Sequence, residues 1–208
     1  MKKIFILSVL AVFFLFGCGK KEEVKTQKAE EQPTQVAETK APETKPIISE
    51  PIVRDKNPVV VMETNYGPIE IELFWKDTPK TAENFLKLVL SGYYDGLTFH
   101  RIVPNFVIQG GDPSGDGTGG PGYSIPFEKA NTKHLRGSLG MARSQDPNSA
   151  GSQFYICLRD LPNLDNNYVV FGKVIQGMDT VDKIAAVKTG PGDFPVDKVI
   201  MTKVYEKK

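Results

Sequence analysis

From residue 58 onward, the sequence is built of short apolar stretches separated by turns rich in Gly, Pro, Asn and Asp. In the second stretch Ile69, Ile71 and Leu73 alternate with polar residues, which is the period of a strand with one wet face. The stretches lie at 59–64, 69–74, 97–103, 106–109, 138–142, 154–158, 168–175 and 199–205. Many short strands at close spacing predict a mainly β fold, an antiparallel barrel that is closed or nearly closed.

Two further stretches have the spacing of helices. The first begins at Thr78, where Pro79 takes the first helical position, and it ends at Gly92. The second covers 177–187, where apolar residues recur on one helical face. The domain that these elements form, residues 58–208, is long enough to bury a proper core.

The residues before this domain divide into two segments. In residues 1–17, Lys2 and Lys3 form a positively charged start, and the apolar run that follows is too short for a bilayer, which needs about 20 apolar residues. The run has the length of a signal-peptide core. Residues 18–57 contain no aromatic side chain and alternate charges with small polar residues, so they predict a disordered tether. A partner-binding motif in this segment is the alternative.

The end of the apolar run, Leu15-Phe16-Gly17-Cys18, resembles a bacterial lipobox. The resemblance implies cleavage before Cys18 and lipidation of that residue. The protein would then be exported and anchored to a membrane of the bacterial cell envelope, stably if more than one acyl chain is attached. An ordinary cleaved signal peptide with a chance cysteine is the alternative.

Several other classes of site are not supported. Lys and Arg total 26 and Asp and Glu total 25, so no basic excess indicates a nucleic-acid partner. Residues 115–120, GDGTGG, match a dinucleotide-binding pattern by letter, but the prolines and glycine that follow exclude the helix that such a site needs. Two histidines are too few for a typical zinc site, and we expect neither a metal nor a cofactor. Cys157 lies within an apolar strand, where a thiol is usually inert.

Four motifs in series give a more specific indication. They are FHRIVPNFVIQGGD (99–112), GSLGMARS (137–144), GSQFYICL (151–158) and LDNNYVVFGKVIQGMDTVDKI (164–184), preceded by TPKTAENF (78–85) in the first helix. In this order and spacing they resemble the cyclophilin family of peptidyl-prolyl isomerases over residues 58–205. The resemblance implies an eight-stranded, closed antiparallel barrel capped by two helices, in agreement with the number of stretches.

The resemblance also implies a site. The catalytic arginine falls on Arg101, and the proline pocket, the peptide-binding amides and the peptide-binding edge fall on nine further residues. These are Phe106, Val107, Gln109, Ala142, Arg143, Gln153, Tyr155, Leu164 and Tyr168. Arg143 stands where many relatives have asparagine, and Tyr168 where many have histidine. Asn163 stands where some have the tryptophan associated with cyclosporin binding, and this departure together with Tyr168 leads us to expect weak cyclosporin binding.

These residues suit a reaction that breaks no covalent bond. Rotation about a peptide bond meets a barrier of about 18–20 kcal/mol, because the nitrogen lone pair is delocalised. To twist an Xaa-Pro bond, an enzyme must hold the proline ring in place and offer a hydrogen bond to the lone pair of the amide nitrogen, which is localised in the twisted state. Arg101 offers several hydrogen-bond donors in one plane. We expect a monomeric isomerase that acts on proline-containing polypeptides during folding of exported proteins. A proline-peptide binding or chaperone module with little turnover is the alternative.

Overall fold

The computed structural model describes residues 47–208. The predicted signal peptide, the lipidation site Cys18 and residues 18–46 of the predicted tether therefore lie outside the described residues. Within the described part of the chain, we find no helix with the length and apolar character that crossing a membrane requires.

The described residues form eight strands and two α-helices. The strands are β1 (Val59–Thr64), β2 (Gly67–Leu73), β3 (Arg101–Val103), β4 (Val107–Gly110), β5 (Ser138–Met141), β6 (Phe154–Cys157), β7 (Val170–Gln176) and β8 (Met201–Glu206). The helices are α1 (Pro79–Leu90) and α2 (Met178–Ala185). Two short 3₁₀ turns, Pro162–Leu164 and Pro191–Asp193, lie in the connections.

All eight strands belong to one antiparallel sheet, in the order β3-β4-β6-β5-β7-β2-β1-β8. The predicted architecture, eight antiparallel strands and two helices, is confirmed. The sheet curls into a barrel that is half-closed, so the prediction of full closure was wrong in this detail. The two outer strands, β3 and β8, form no continuous ladder with each other.

The physical reason lies in the stretch that was predicted as one strand at 97–103. Only Arg101–Val103 pairs with β4. The residues before it turn toward the other side of the barrel, where Phe99 N–H donates to Val199 O at 2.9 Å and Met201 N–H donates to Leu97 O at 2.8 Å. The two edges of the sheet therefore meet only through the bridge between Thr98 and Ile200 and the backbone hydrogen bonds around it, which do not extend into a ladder between β3 and β8.

The core inside the barrel is aromatic. The ring of Phe85, on the buried face of α1, packs against Tyr94, Phe154 and Phe171 with centroid distances of 4.9, 5.5 and 5.2 Å. Residues of β4 and β6 alternate between this core and the outer face of the sheet, as the period of a strand requires. Ile108 and Ile156 point inward, and Val107, Tyr155 and Cys157 form a second apolar cluster with Leu161.

Residues 47–57, the described part of the predicted tether, lie against α1 and β8. Ile52 packs on the core and its backbone N–H donates to Glu83 Oε1 at 2.8 Å, while Arg54 pairs with Glu206 at 2.9 Å. The tether itself stays a prediction.

Candidate active site

The second apolar cluster is the floor of a surface cavity of about 230 Å³. Nine residues line this cavity: Arg101, Phe106, Val107, Gln109, Ala142, Arg143, Tyr155, Leu164 and Tyr168. The structure thus brings together nine of the ten residues that the sequence predicted for catalysis and substrate binding. The tenth, Gln153, lines a neighbouring cavity.

The strands explain why these side chains meet. In the register of β4 with β6, Gln109 lies opposite Tyr155 and Val107 opposite Cys157, so all four share the outer face. Val107 and Tyr155 are buried, and Phe106, Leu164 and Tyr168 pack on them partly buried. Cys157 lies fully buried, and burial raises the pKa of its thiol to about 12, so it stays protonated at neutral pH.

Arg101 lies at the rim of the cavity and is held from two sides. Its partner across the ladder is Gln109, whose Oε1 lies 3.5 Å from Nη1 of the arginine. Nη2 lies 3.4 Å from Oδ2 of Asp193, at the end of the turn Pro191–Asp193. The arginine side chain keeps 38% of its surface exposed, so its charge lies beside the apolar floor and remains accessible from outside.

Gln153 is linked to this arrangement through amides. Gln109 Nε2 donates to Gln153 Oε1 at 3.0 Å, and Gln153 Nε2 donates to the carbonyl oxygens of Gly117 and Gly119 at 3.0 and 2.9 Å. Each amide therefore has a fixed orientation, and Oε1 of Gln109 faces Arg101.

A buried hydrogen-bonded chain supports the wall of the cavity from behind. The hydroxyl of Tyr155 lies 2.9 Å from Nε2 of His134, and Nδ1 of His134 lies 2.9 Å from Oδ1 of Asp165. The backbone N–H of His134 donates to the same carboxylate oxygen at 2.9 Å. The sequence reading did not identify His134 or Asp165 as part of the site, because both lie outside the strands that carry it.

The pKa shifts of Asp165, His134 and Tyr155 show which groups in this hydrogen-bonded chain carry a proton at pH 7. The backbone and ring N–H groups of His134 lower the pKa of Asp165 to about 2, so the carboxylate is ionised. Burial lowers the pKa of His134 and raises that of Tyr155, so both are neutral at pH 7. Nδ1–H of the imidazole therefore donates to Asp165, and Nε2 accepts from the tyrosine hydroxyl.

Gly140 gives the Tyr155 ring its space. A Cβ at this position would lie 2.2 Å from Cζ of the tyrosine, far inside any tolerated contact. Tyr168 packs against the Tyr155 ring nearly at a right angle with ring centroids 6.2 Å apart, and the guanidinium of Arg143 covers Tyr168 at 4.7 Å from its centroid. Tyr155 is thus fixed by a hydrogen bond, a glycine and an aromatic edge.

A larger cavity of about 560 Å³ adjoins the first. The two share Gln109, Ala142 and Arg143, so together they form one groove along the end of β5. Among the residues that the structure describes, we find no cluster of three or more His, Cys, Asp or Glu side chains that could hold a metal ion.

The model of the cyclophilin type peptidyl-prolyl cis-trans isomerase/CLD family matches residues 59–206. The chain belongs to this family. Among curated relatives, a peptidyl-prolyl cis-trans isomerase of Arabidopsis thaliana is 42% identical over 156 residues, which cover 72% of this chain and 94% of that protein. One of Helicobacter pylori is 47% identical over 133 residues, covering 62% of this chain and 81% of that protein. This cyclophilin is therefore a peptidyl-prolyl cis-trans isomerase.

The fold agrees with a solved structure of the family. A cyclophilin type isomerase of Cryptosporidium parvum superposes with a TM-score of 0.71 at 38% identity, covering 73% of this chain and 98% of that one. The same protein was crystallised in the presence of the dipeptide Ala-Pro, and that structure superposes with a TM-score of 0.70 at 39% identity, covering 72% and 99%.

Proposed function

We propose that this cyclophilin isomerises Xaa-Pro bonds of exported proteins in the 230 Å³ cavity, with Arg101 stabilising the twisted amide. The observation that carries the proposal is the position of the Arg101 guanidinium, which lies between Gln109 and Asp193 beside the apolar floor of the cavity. A proline ring fits such a floor because it is compact and apolar, and the dipeptide Ala-Pro used with the Cryptosporidium parvum relative is a unit of this kind.

The chemistry follows from the change in the amide nitrogen. In the planar ground state its lone pair is delocalised, and in the twisted state the pair is localised and can accept a hydrogen bond. An N–H of Arg101 donates to that nitrogen, so the bond is strongest at the top of the barrier. A hydrogen bond with a charged donor contributes about 1.5–3 kcal/mol, which corresponds to roughly 10- to 150-fold in rate.

The remaining acceleration comes from preorganisation. The amides of Gln109 and Gln153 are already oriented by their own hydrogen bonds, and the wall at Tyr155 is held by His134. These groups need no rearrangement when the substrate twists, which is the condition under which fixed dipoles contribute most.

Isomerisation of a proline peptide, followed by NMR exchange spectroscopy, tests the role of Arg101. We expect Arg101→Ala to lower kcat/KM at least about tenfold, with a smaller loss for Arg101→Lys, since lysine keeps the charge but loses the planar donors. Arg54→Gln is the matched control, because Arg54 pairs with Glu206 and lines neither cavity of the groove. Unchanged turnover in a folded Arg101→Ala variant would contradict the mechanism.

The same measurements separate the enzyme from a proline-peptide binding or chaperone module. Peptide binding without acceleration by the wild-type chain would favour the binding module. The family membership and the fixed position of Arg101 favour turnover.

The cellular context is also part of the proposal. The lipobox-like residues at 15–18 support an exported lipoprotein tethered to a membrane through Cys18. Mass spectrometry of the mature N-terminus from bacterial membranes should show a diacylated or triacylated cysteine, and Cys18→Ser should release the protein from the membrane fraction. A mature N-terminus at another residue would contradict the tether. We also propose a monomer, which sedimentation analysis tests directly.

A further inference from the structure

The groove formed by the two cavities is lined by charges of one sign. Arg143 is the single charged side chain among the described residues that line the larger cavity, and Arg101 and Arg143 are the charged residues of the smaller one. No acidic side chain of the described chain lines either cavity. A peptide in this groove therefore meets two cations and no anion in the walls themselves.

The two arginines differ in how their charge is compensated. Arg101 has a carboxylate beside it, that of Asp193 at 3.4 Å. Arg143 has no carboxylate of the described residues within 4.0 Å, and its partners are neutral backbone carbonyls. Asp116 and Asp146, in neighbouring loops, accept hydrogen bonds from residues of their own loops and line neither cavity.

The carbonyls nevertheless hold Arg143 in one place. Nη1 donates to Ser144 O at 2.8 Å and to Gln145 O at 3.3 Å, and Asn167 O accepts from Nη2 at 2.8 Å and from Nε at 3.3 Å. These bonds use four of the five N–H donors of a guanidinium, which leaves one on Nη2. The plane of the group is fixed further by its stacking over Tyr168.

A partly buried cation that is fixed but not neutralised is arranged to receive an anion. The carbonyls satisfy its donors, but their dipoles leave its net charge in place. Because the Arg143 side chain is already ordered, a carboxylate of the substrate can pair with it without ordering this side chain further. The loss of conformational entropy is therefore smaller than for an ion pair between two mobile side chains. The remaining N–H on Nη2 can donate to one oxygen of that carboxylate, and a hydrogen bond between two charged groups is stronger than one between neutral groups.

We propose that Arg143 is a specificity-determining residue, and that the groove selects proline peptides with Asp or Glu within two residues of the proline. The inference rests on the proposed function, because it places the proline in the smaller cavity. Arg143 lines that cavity and its larger neighbour. Since consecutive Cα atoms are 3.8 Å apart, a residue one or two positions from the proline lies within reach of the guanidinium.

The test compares peptides that differ in one residue. Asp, Asn or Lys is placed at each position from two before to two after the proline, and kcat/KM is measured at low and at high salt. For wild type we expect Asp to exceed Asn about three- to tenfold at one position, between the values typical of exposed ion pairs and of hydrogen bonds to charged groups. Lys should be the poorest residue there, and high salt should reduce the difference.

The ratio of Asp to Asn within each variant is the decisive quantity, because it does not depend on total activity or on the fraction of folded protein. Arg143→Gln should bring this ratio to about one, and Arg143→Lys should keep part of it. Arg54→Gln should keep the wild-type ratio, since that arginine is paired and lies outside the groove.

Equal kcat/KM for Asp and Asn peptides in wild type at all four positions would overturn the proposal. So would an acidic preference that survives in Arg143→Gln. Failure of the catalytic proposal has a different signature, because it would appear as unchanged turnover of the neutral Asn peptides in Arg101→Ala.

Discussion

The hydrogen-bonded chain Tyr155–His134–Asp165 behind the 230 Å³ cavity can be tested by removing one oxygen atom. Tyr155→Phe keeps the ring that forms the cavity wall and deletes the hydroxyl that bonds to Nε2 of His134 at 2.9 Å. His134 is buried, and its other ring nitrogen is bonded to Asp165. The substitution therefore leaves one buried acceptor without a partner and changes little else.

The magnitude follows from the cost of an unsatisfied buried group, which is about 1–3 kcal/mol. For a domain of this size, 1 kcal/mol corresponds to about 2–4 °C in melting temperature, so we expect a decrease of about 2–12 °C. The loss in kcat/KM should be smaller than for Arg101→Ala, because Phe and Tyr present the same ring to the cavity.

Urea unfolding curves for wild type and Tyr155→Phe give the free energies of unfolding directly. Tyr205→Phe is the matched control, because the hydroxyl of Tyr205 makes a long contact of 3.3 Å with Glu63 and the residue is 41% exposed. Its free energy of unfolding should change by less than about 0.5 kcal/mol. If the two variants are equally stable, the bond between Tyr155 and His134 contributes nothing, and packing alone holds the wall.

Three further predictions concern the buried histidines, Asp165 and the packing around Tyr155. The pKa of His134 and that of His100 are lowered by burial, so below about pH 6.5 the unfolded chain binds more protons than the native one, and the free energy of unfolding should fall as the pH decreases. Asp165, whose pKa is lowered to about 2, contributes stability that is lost as the pH falls from about 4 to about 2, and Asp165→Asn should remove this loss. Urea unfolding at a series of pH values measures the contributions of the histidines and of Asp165. Constant stability between pH 7 and pH 5 would contradict the prediction for the histidines. Gly140→Ala should cost about 1–3 kcal/mol or more, because the new Cβ would lie 2.2 Å from Cζ of Tyr155. Gly120→Ala is its control, since a Cβ there meets no atom within 4 Å, and equal unfolding free energies for the two variants would refute the steric argument.

The strands and helices could be predicted because their signals are local. Alternation in β2 and the Thr78-Pro79 start of α1 are readable within a few residues, and both elements lie where the sequence placed them. The half-closed barrel could not be predicted in this way. The degree of closure depends on how far residues near Thr98 pair with residues near Ile200, and such long-range pairing is not contained in either stretch alone.

The site shows the same division. The cavity residues could be predicted because the motifs that carry the resemblance to the cyclophilins contain them. Asp193 and His134 were missed because each reaches the site from a connection whose path the sequence does not reveal. Asp193 has φ of 64° in a turn next to Gly192, a conformation that Asp tolerates better than most residues, but no local pattern joins that turn to Arg101.

Arg143 and Tyr168 show what the structure adds to a resemblance. Each was read from the sequence as a single departure, arginine where many relatives have asparagine and tyrosine where many have histidine. The structure places the guanidinium 4.7 Å from the centroid of the tyrosine ring, so the two departures form one contact. An aromatic face is the surface on which a guanidinium stacks well, and Tyr168 in turn packs edge-on against the Tyr155 wall. A substitution of either residue would therefore change the surroundings of the other. Together, Arg143 and Tyr168 determine the charge at the rim of the cavity. The floor below it depends on the alternation of β4 and β6 and can stay constant while the rim changes. Under the proposed function, differences in substrate choice between this cyclophilin and its relatives should follow the rim residues, while the rate of isomerisation should follow the floor and Arg101.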